Sequence, residues 1–596
     1  MGNIINERIK KIRDLMKKHN MSIYLIPMSD FHSSEYLSEY FREILFMSNF
    51  SGSNAIVVIT LDKAALWTDG RYFIQAERQM KDNEIHMYKM AVEGEPTVNE
   101  YIENNLKENT ALGFDGRLIT IANAKALEEI CEKKKCTIED KYDLPGEIWE
   151  DRPNLPNTKI WELPEKRAGK SRDKKLSDVR EKMKEYESDG YLLTSLCDIA
   201  WLLNLRAFDI ECTPVFLSYI YITKKDAFLY VNKEQIDSKI EKILSKSNIK
   251  IKGYDDIYSD LKNVKEKNIL LDDSCVSFTL KNSFPSYVKF IYKENPTSLM
   301  KAIKNETEIK ETKNAHVKDG VALTHFIYWL KKNIKDKKIS ELDVSDKLYE
   351  LRSSQKDFVE LSFNTIAAYE ANAAMMHYTA TKDNFSYIKN RGLLLVDSGG
   401  QYMDGTTDVT RTIALEDLTE DEKIDYTTVV RCHLRLMAAH FLKGNVGQNL
   451  DILARGPVWD RGLDYRCGTG HGVGHVSNVH EGPNAFRWNI KGNAISCIVP
   501  GMITSDEPGI YIENKYGIRI ESEILCVEDV KTEYGQFYKF EPITYAPIDL
   551  KPIKKDMLTQ YEVKTLNDYH KLVYEKLSPY FEGEELSWLK ENTREI

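Results

Sequence analysis

Apolar residues recur at helical spacing at the start of the chain. Ile5, Ile9, Ile12, Leu15 and Met16 fall on one face and predict an amphipathic helix over residues 4–19. Short β-branched runs follow: SIYLIP (22–27), AIVVIT (55–60) and AALWTD (64–69) predict strands, the last two joined by a turn at Leu61-Asp62-Lys63. The same order returns further on. Leu176, Val179, Met183 and Tyr186 mark a helix and YLLTS (191–195) a strand. SYIYITKKDAFLYVN (218–232) then overlays the earlier strand pair, Ile59-Thr60 on Ile222-Thr223 and Ala64 on Ala227, while RDLMKK (13–18) falls on REKMKE (180–185). We read this as a duplicated α/β unit.

Between the copies, residues 145–175 carry four prolines and a basic run and read as a linker. A second boundary falls near Pro296. Beyond it, residues 305–333 predict one long helix with Ile309, Val321, His325 and Tyr328 near its apolar stripe. Residues 557–577 and the segment around Leu586 and Trp588 predict C-terminal helices. A chain of 596 residues is too long for one core, and the expected domains are 1–150, 151–300 and 301–596.

The 83 basic and 93 acidic residues give a net charge of −10, which argues against a general nucleic-acid binder. Nine cysteines without a CxxC pair read as free thiols in a reducing compartment. No apolar run approaches the roughly 20 residues that span a bilayer. The N-terminus lacks the central apolar block of a signal peptide, and Asn6 stands where a myristoylation signal wants Ser or Thr. A soluble cytoplasmic protein is expected.

Three clusters in the last domain carry candidate chemistry. In LLLVDSGGQYMDGTTDVTRT (393–412) one strand ends in Asp397 and a second begins near Asp408. A two-residue turn at Asp404-Gly405 would set Asp408 opposite Gln401, so a wider loop is expected if the two carboxylates meet. CGTGHGVGHVSNVHEGP (467–483) alternates glycines with His471 and runs into a strand-like series of valines. No Lys-Ser/Thr pair follows, so a phosphate loop is a poor reading, and the histidine spacing does not fit the helical zinc motif. Glycines here would let other groups approach the backbone. In MITSDEPGIYIENKYGIRIESEILCV (502–527) Glu507 ends one strand and Glu521 is expected inside the next, among isoleucines. Asp397, Asp408, His471, Glu507 and Glu521 thus form a set of four carboxylates and one imidazole. Such an oxygen-rich set suits hard or borderline ions such as Mn²⁺. With two carboxylates bridging, it can hold two ions about 3.5–4 Å apart, which lower the pKa of a shared water and make it a nucleophile for an amide.

The ordered motifs VDSGGQYMDGTTDVTRT, GTGHGVG…NVHEGP, TSDEPGIY and GIRIE closely resemble those of aminopeptidase P, the Xaa-Pro aminopeptidases, and WTDGRYF (67–73) does so too. The likeness runs over nearly the whole chain and matches the long cytosolic form. It implies a mixed α/β fold: two related creatinase-like α/β domains before a pita-bread catalytic domain. It also implies removal of an N-terminal residue that precedes proline, two Mn²⁺ ions and a homodimer, for which the C-terminal helices are a candidate surface. By position, the resemblance implies that Asp397 chelates one ion, Asp408 and Glu521 bridge both, and His471 and Glu507 complete the other shell. Glu507 would also shuttle the proton. His377 of ANAAMMHYTA would lie near the substrate's proline, His480 would contact the scissile region, and Arg519 and Tyr511 would line the site. His475 has no counterpart and is expected to be structural or at the surface. One position departs: Cys467 stands where relatives commonly carry histidine, which puts one substrate contact in doubt.

Two rivals share the motifs. A prolidase would cleave Xaa-Pro dipeptides, but its relatives usually carry one N-terminal domain. A non-catalytic pita-bread protein would bind peptides, but such relatives typically lose ligands, and all five are present here.

Overall fold

The computed structural model describes residues 2–489 and 496–596. The chain divides into two compact units. One holds the chain up to Glu162 and Lys170–Thr297; the other holds Leu163–Gly169 and Ser298–Ile596.

The first unit contains two six-stranded sheets with one topology. In the first sheet the strand order is Ile85–Lys89, Ala64–Thr68, Ala55–Thr60, Met21–Pro27, Ala111–Gly113 and Thr137–Glu139. In the second it is Ile249–Lys252, Ala227–Val231, Ser218–Thr223, Gly190–Leu193, Asn268–Leu271 and Lys289–Tyr292. Parallel and antiparallel pairings fall at the same places in both. The predicted overlay holds at the level of register, since Ile59 pairs with Ala64 and Ile222 with Ala227. The strand Ala55–Thr60 buries Val57, Val58 and Ile59 together, which explains why its sequence is a continuous apolar run and not an alternating one. The first helix, Gly2–Lys18, buries Ile5, Ile9, Ile12 and Met16 as its spacing predicts.

The proline-rich segment 145–175 is more ordered than a linker. Trp161–Glu162 pairs with Leu205–Arg206 in the first unit, and the short helix Glu165–Ala168 belongs to the second.

The second unit opens on the helix Glu306–Asn333, started by a capping box between Asn305 and Glu308. Its buried face differs from the predicted stripe. Of the predicted stripe Val321 is buried, but Ile309, His325 and Tyr328 are only half-buried, whereas Thr312, Ala315, His316, Asp319 and Phe326 are buried. Polar members of that face have partners inside the unit: Asp319 meets Arg352 through a buried two-point ion pair and accepts from Tyr402. Hydrophobicity alone therefore placed only part of the stripe. Behind this helix lie a three-stranded sheet of Ile366–Tyr369, Leu393–Ser398 and Val409–Ala414, and a four-stranded sheet of His440–Leu442, Gly535–Pro542, Ser522–Thr532 and Ile503–Asp506. The unit also holds the helices Glu341–Ser353, Glu420–Met437, Gly447–Trp459, Gln560–Leu577 and Gly583–Asn592 and several smaller sheets. Among the described residues, no helix is long and apolar enough to cross a membrane.

Candidate metal centre

The two aspartates sit on one long hairpin. Leu393–Ser398 pairs antiparallel with Val409–Ala414, with Asp397 opposite Thr410. The same register continues through Gln401 opposite Thr406 and closes on a two-residue turn at Met403-Asp404. The expected turn at Asp404-Gly405 and the wider loop are both corrected. Tertiary contacts set this turn in place of local glycine preference: Lys318 Nζ lies 2.7 and 2.9 Å from the Asp404 oxygens, and the Met403 N–H donates to Asp357 O at 2.8 Å. Moving the turn by one residue shifts the register by two, which brings Asp408 diagonal to Asp397 on the same face.

The glycine-rich segment is a strand only at Gly470–His471, paired with Ala485–Phe486. The strand-like reading of the following valines is corrected: Val476 adopts φ +50°. The glycines do make room. A Cβ on Gly470 would stand 1.9 Å from Ser505 O, and one on Gly472 2.1 Å from Glu481 O. His471 is held there by its N–H to Ser505 Oγ at 3.0 Å. Its Nδ1 lies 2.9 Å from Gly472 O, which can only accept, so Nδ1 carries the hydrogen. Nε2 is left facing Glu507 Oε1 at 3.3 Å and Asp408 Oδ2 at 3.5 Å.

Glu507 follows the strand Ile503–Asp506 and donates its N–H to Thr469 O at 2.8 Å. Glu521 lies at the break between Tyr516–Arg519 and Ser522–Thr532, not inside a strand as expected. The reason is that the Arg411 guanidinium captures its carbonyl, and its own N–H donates to Thr410 O at 3.1 Å. One oxygen each of Asp408 and Glu521 and one nitrogen of His471 lie within 4.8 Å of one another, a group able to hold a cation. Arg519 links the remaining aspartate to this group. Its guanidinium pairs with Asp397, donates to Tyr511 Oη at 2.7 Å and donates from Nε to Thr410 Oγ1 at 3.0 Å. With its oxygen so engaged, Thr410 donates to Glu521 Oε2 at 2.6 Å.

The other predicted residues fall as follows. The His480 ring meets His471 edge to face, with centroids 4.3 Å apart. His377 is half-buried on the segment after the turn Glu370–Ala374. Cys467 is half-buried and adds to the electrostatic environment of Tyr511, so it lines the same region. His475 is buried against Thr312 Oγ1 and Arg167 O, both at 3.1 Å, in the structural role expected.

Several supporting residues escaped sequence reasoning. Glu523 is fully buried; its Oε1 accepts the Asp408 N–H at 2.8 Å and its Oε2 faces His316 Nε2 at 3.1 Å. Thr469, whose carbonyl holds Glu507, donates to Asp451, and Asp451 pairs with the buried Arg455. Only the helical positions of His316 and Arg455, polar where an apolar residue was due, hinted at either network.

The electrostatics call for positive charge. Burial drives the Asp408 carboxyl upward, with Asp397 adding to the effect against the opposing pull of His471. Burial also pushes Glu521 far up, reinforced by Asp408, Glu507 and Asp397 and only partly relieved by Arg519. Burial opposes a proton on His471, yet Asp408 and Glu507 carry it up to about 9. Asp397 Oδ1 is buried without a hydrogen-bond partner. A buried acceptor with no donor and carboxylates that attract protons fit a cationic guest.

Comparison with known proteins agrees with this geometry. Residues 8–141 and 151–308 each match a creatinase/prolidase N-terminal domain, residues 310–528 match metallopeptidase family M24, and residues 536–596 match the C-terminal region of that peptidase. A probable Xaa-Pro aminopeptidase P from Paracoccidioides brasiliensis is 39% identical over 99% of both chains. The chain belongs to the aminopeptidase P branch of metallopeptidase family M24. Xaa-Pro aminopeptidase 1 of Dictyostelium discoideum matches this M24 chain at 38% identity, over 100% of it and 97% of the relative. The X-prolyl aminopeptidase of Caenorhabditis elegans, a cytosolic enzyme with a dinuclear active site, superposes with a TM-score of 0.94 at 33% identity, covering 99% of this chain and 100% of its own. A Xaa-Pro dipeptidase from Bacillus anthracis covers only 64% of this chain, at 25% identity and a TM-score of 0.51. The fold is therefore the mixed α/β architecture expected: creatinase-like N-terminal domains followed by a pita-bread M24 domain.

Proposed function

We propose that this chain is a metal-dependent aminopeptidase that removes the N-terminal residue from peptides with proline in the second position. The observation that carries the reading is the Asp408–His471–Glu521 group, within 4.8 Å, on a chain alike end to end to Xaa-Pro aminopeptidases. Asp397, Asp408, His471, Glu507 and Glu521 would hold two divalent cations. The oxygen-rich donor set favours Mn²⁺. When bound, the cations act as Lewis acids and lower the pKa of water.

The chain's own groups do the rest. Glu507, half-open to the cleft with Oε1 near His471 Nε2, takes the proton of the attacking water and delivers it to the proline nitrogen. That nitrogen needs it: the oxygen of water bonds to the scissile carbon, the C–N bond of the tertiary amide breaks, and the departing proline nitrogen gains the proton as a secondary amine. His480, edge-on to His471, donates to the oxygen of the scissile carbonyl as it becomes negative. Arg519 fixes Asp397 and, through Tyr511, the wall of the site. His377 contacts the proline side. A substrate amine placed at Asp397 sets the cut one residue from the N-terminus.

The finer readings that go with this are three domains at 1–150, 151–300 and 301–596, a cytoplasmic location, and a homodimer through the C-terminal helices. The test is turnover of an Xaa-Pro-Yaa tripeptide and an Xaa-Pro dipeptide by chelated protein with and without Mn²⁺, alongside metal content. Metal-restored cleavage of the tripeptide, with about two ions per chain, is expected. Cleavage of dipeptides alone would make it a prolidase, and no turnover with any metal would leave a binding role.

A further inference from the structure

Glu341 is the first residue of the helix Glu341–Ser353 and has no solvent exposure. Its carboxylate collects four donor groups. Oε1 accepts the Tyr369 N–H at 2.7 Å and Asn372 Nδ2 at 2.9 Å; Oε2 accepts the Tyr378 hydroxyl at 2.9 Å and the Ser386 N–H at 2.7 Å. Its own N–H donates to Ser386 O at 3.0 Å. Every donor lies between residues 369 and 386, the segment that carries His377, and Tyr378 is its immediate neighbour. The carboxylate thus gathers both ends and the middle of one loop.

The opposite side of that loop leans on the site. Tyr511 packs into the apolar cluster of Ala373, Met375 and Tyr378. A Cβ on Gly517 would stand 1.8 Å from Ala373 O, so the strand that carries Arg519 touches the loop backbone to backbone. Gly517 fits because it has no side chain.

We infer that Glu341 is a positioning residue for the peptidase reaction: it braces the 369–386 loop against the Arg519 strand and so fixes His377. This rests on the reading of His377 as a substrate contact. A buried carboxylate that accepts from four donors on one irregular segment replaces the ladder such a segment lacks. A glutamine cannot, because its amide nitrogen would face donors with a donor.

The experiment compares Glu341→Gln, His377→Ala and the double variant, with Tyr378→Phe as a milder probe that removes one donor and keeps the ring. Readouts are metal content, kcat and KM on an Xaa-Pro-Yaa tripeptide, and hydrogen exchange over residues 369–386. Expected are unchanged metal content, faster exchange confined to this loop, and roughly a 10–100-fold fall in kcat/KM for Glu341→Gln, the scale of a 1 Å misplacement. The fall should divide between kcat and KM as it does for His377→Ala, and the double variant should be no worse than His377→Ala alone. Tyr378→Phe should show the same pattern at severalfold, and it decides the matter if Glu341→Gln does not fold. Effects that add to those of His377→Ala, or unchanged loop exchange, overturn the inference. Faster loop exchange in a protein whose unsubstituted form cleaves no Xaa-Pro peptide would sink the functional reading and, with it, Glu341's catalytic relevance.

Discussion

Glu523 offers the sharpest test of how the centre is built, because it meets the backbone of a proposed ligand and not its carboxylate. Its Oε1 holds the Asp408 backbone at 2.8 Å, and the residue is fully buried. A hydrogen bond to a charged group contributes about 1.5–3 kcal/mol and a neutral one about 0.5–1.5. Glu523→Gln keeps an acceptor and gives up the charge, a difference near 1.4 kcal/mol, or about tenfold. Glu523→Leu strands the Asp408 N–H in a buried setting at about 1–3 kcal/mol. If that loss falls on the placement of Asp408, Mn²⁺ affinity should drop roughly 10-fold for Gln and up to 100-fold for Leu, the range seen when outer-shell partners are removed. Equilibrium dialysis of metal-stripped protein with elemental analysis reads this directly, and circular dichroism checks the fold. Folded variants that bind Mn²⁺ within twofold of the unsubstituted protein would refute the argument that this backbone clamp orients the carboxylate.

Gly470→Ala should cost Mn²⁺ affinity at least as much as Glu523→Leu, because its Cβ would lie 1.9 Å from Ser505 O and must push the His471 strand off its neighbour; the same dialysis measures it. Cys467→His should alter KM or the pH profile of tripeptide cleavage while metal content stays constant, since Cys467 sits beside Tyr511 and not among the ligands; unchanged kinetics would remove position 467 from the substrate contacts. His570 is buried, accepts the Ile548 N–H at 3.1 Å, and burial, with help from Arg411, lowers its pKa to about 3. Since the unfolded value is near 6.5, its contribution is complete above that pH and is lost toward pH 3, reaching about 2 kcal/mol at pH 5. Urea unfolding at pH 7.5 and 5 should therefore show a smaller acid loss in His570→Gln than in the unsubstituted protein.

How far the sequence spoke depended on whether the signal was local. The central strands of the duplicated sheets were legible, because β-branched runs and their turn are local chemistry: Ile59–Ala64 and Ile222–Ala227 pair as the overlay predicts, while outer strands such as Ile85–Lys89 and Lys289–Tyr292 were not read. The five candidate ligands were also legible, as residue types in motifs. Their meeting was not, since the hairpin register turns on Lys318 holding Asp404 from a helix 86 residues away. The supporting layer was nearly invisible. His316 and Asp319 interrupt an apolar face and so spoil the very periodicity that finds helices. Glu341 resembles any acidic residue at a helix start, and nothing in its neighbours announces the loop it gathers.

Those long-range polar contacts share one physical cause. Asp408 and Glu507 face the His471 imidazole, Glu521 lies in the same group, and Arg519 pairs with Asp397. Burial raises the Asp408 and Glu521 carboxyls, and the neighbouring carboxylates raise them further. Their mutual repulsion would spread them apart unless the backbone held them. Three of them are held by residues outside the candidate set: Glu523 at the Asp408 N–H, Thr410 at both the Glu521 N–H and its carboxylate, and Thr469 at the Glu507 N–H. The outer residues therefore do more than orient the proposed ligands. They restrain like charges at close quarters, so that a bound cation relieves the repulsion that otherwise draws protons to Asp408 and Glu521.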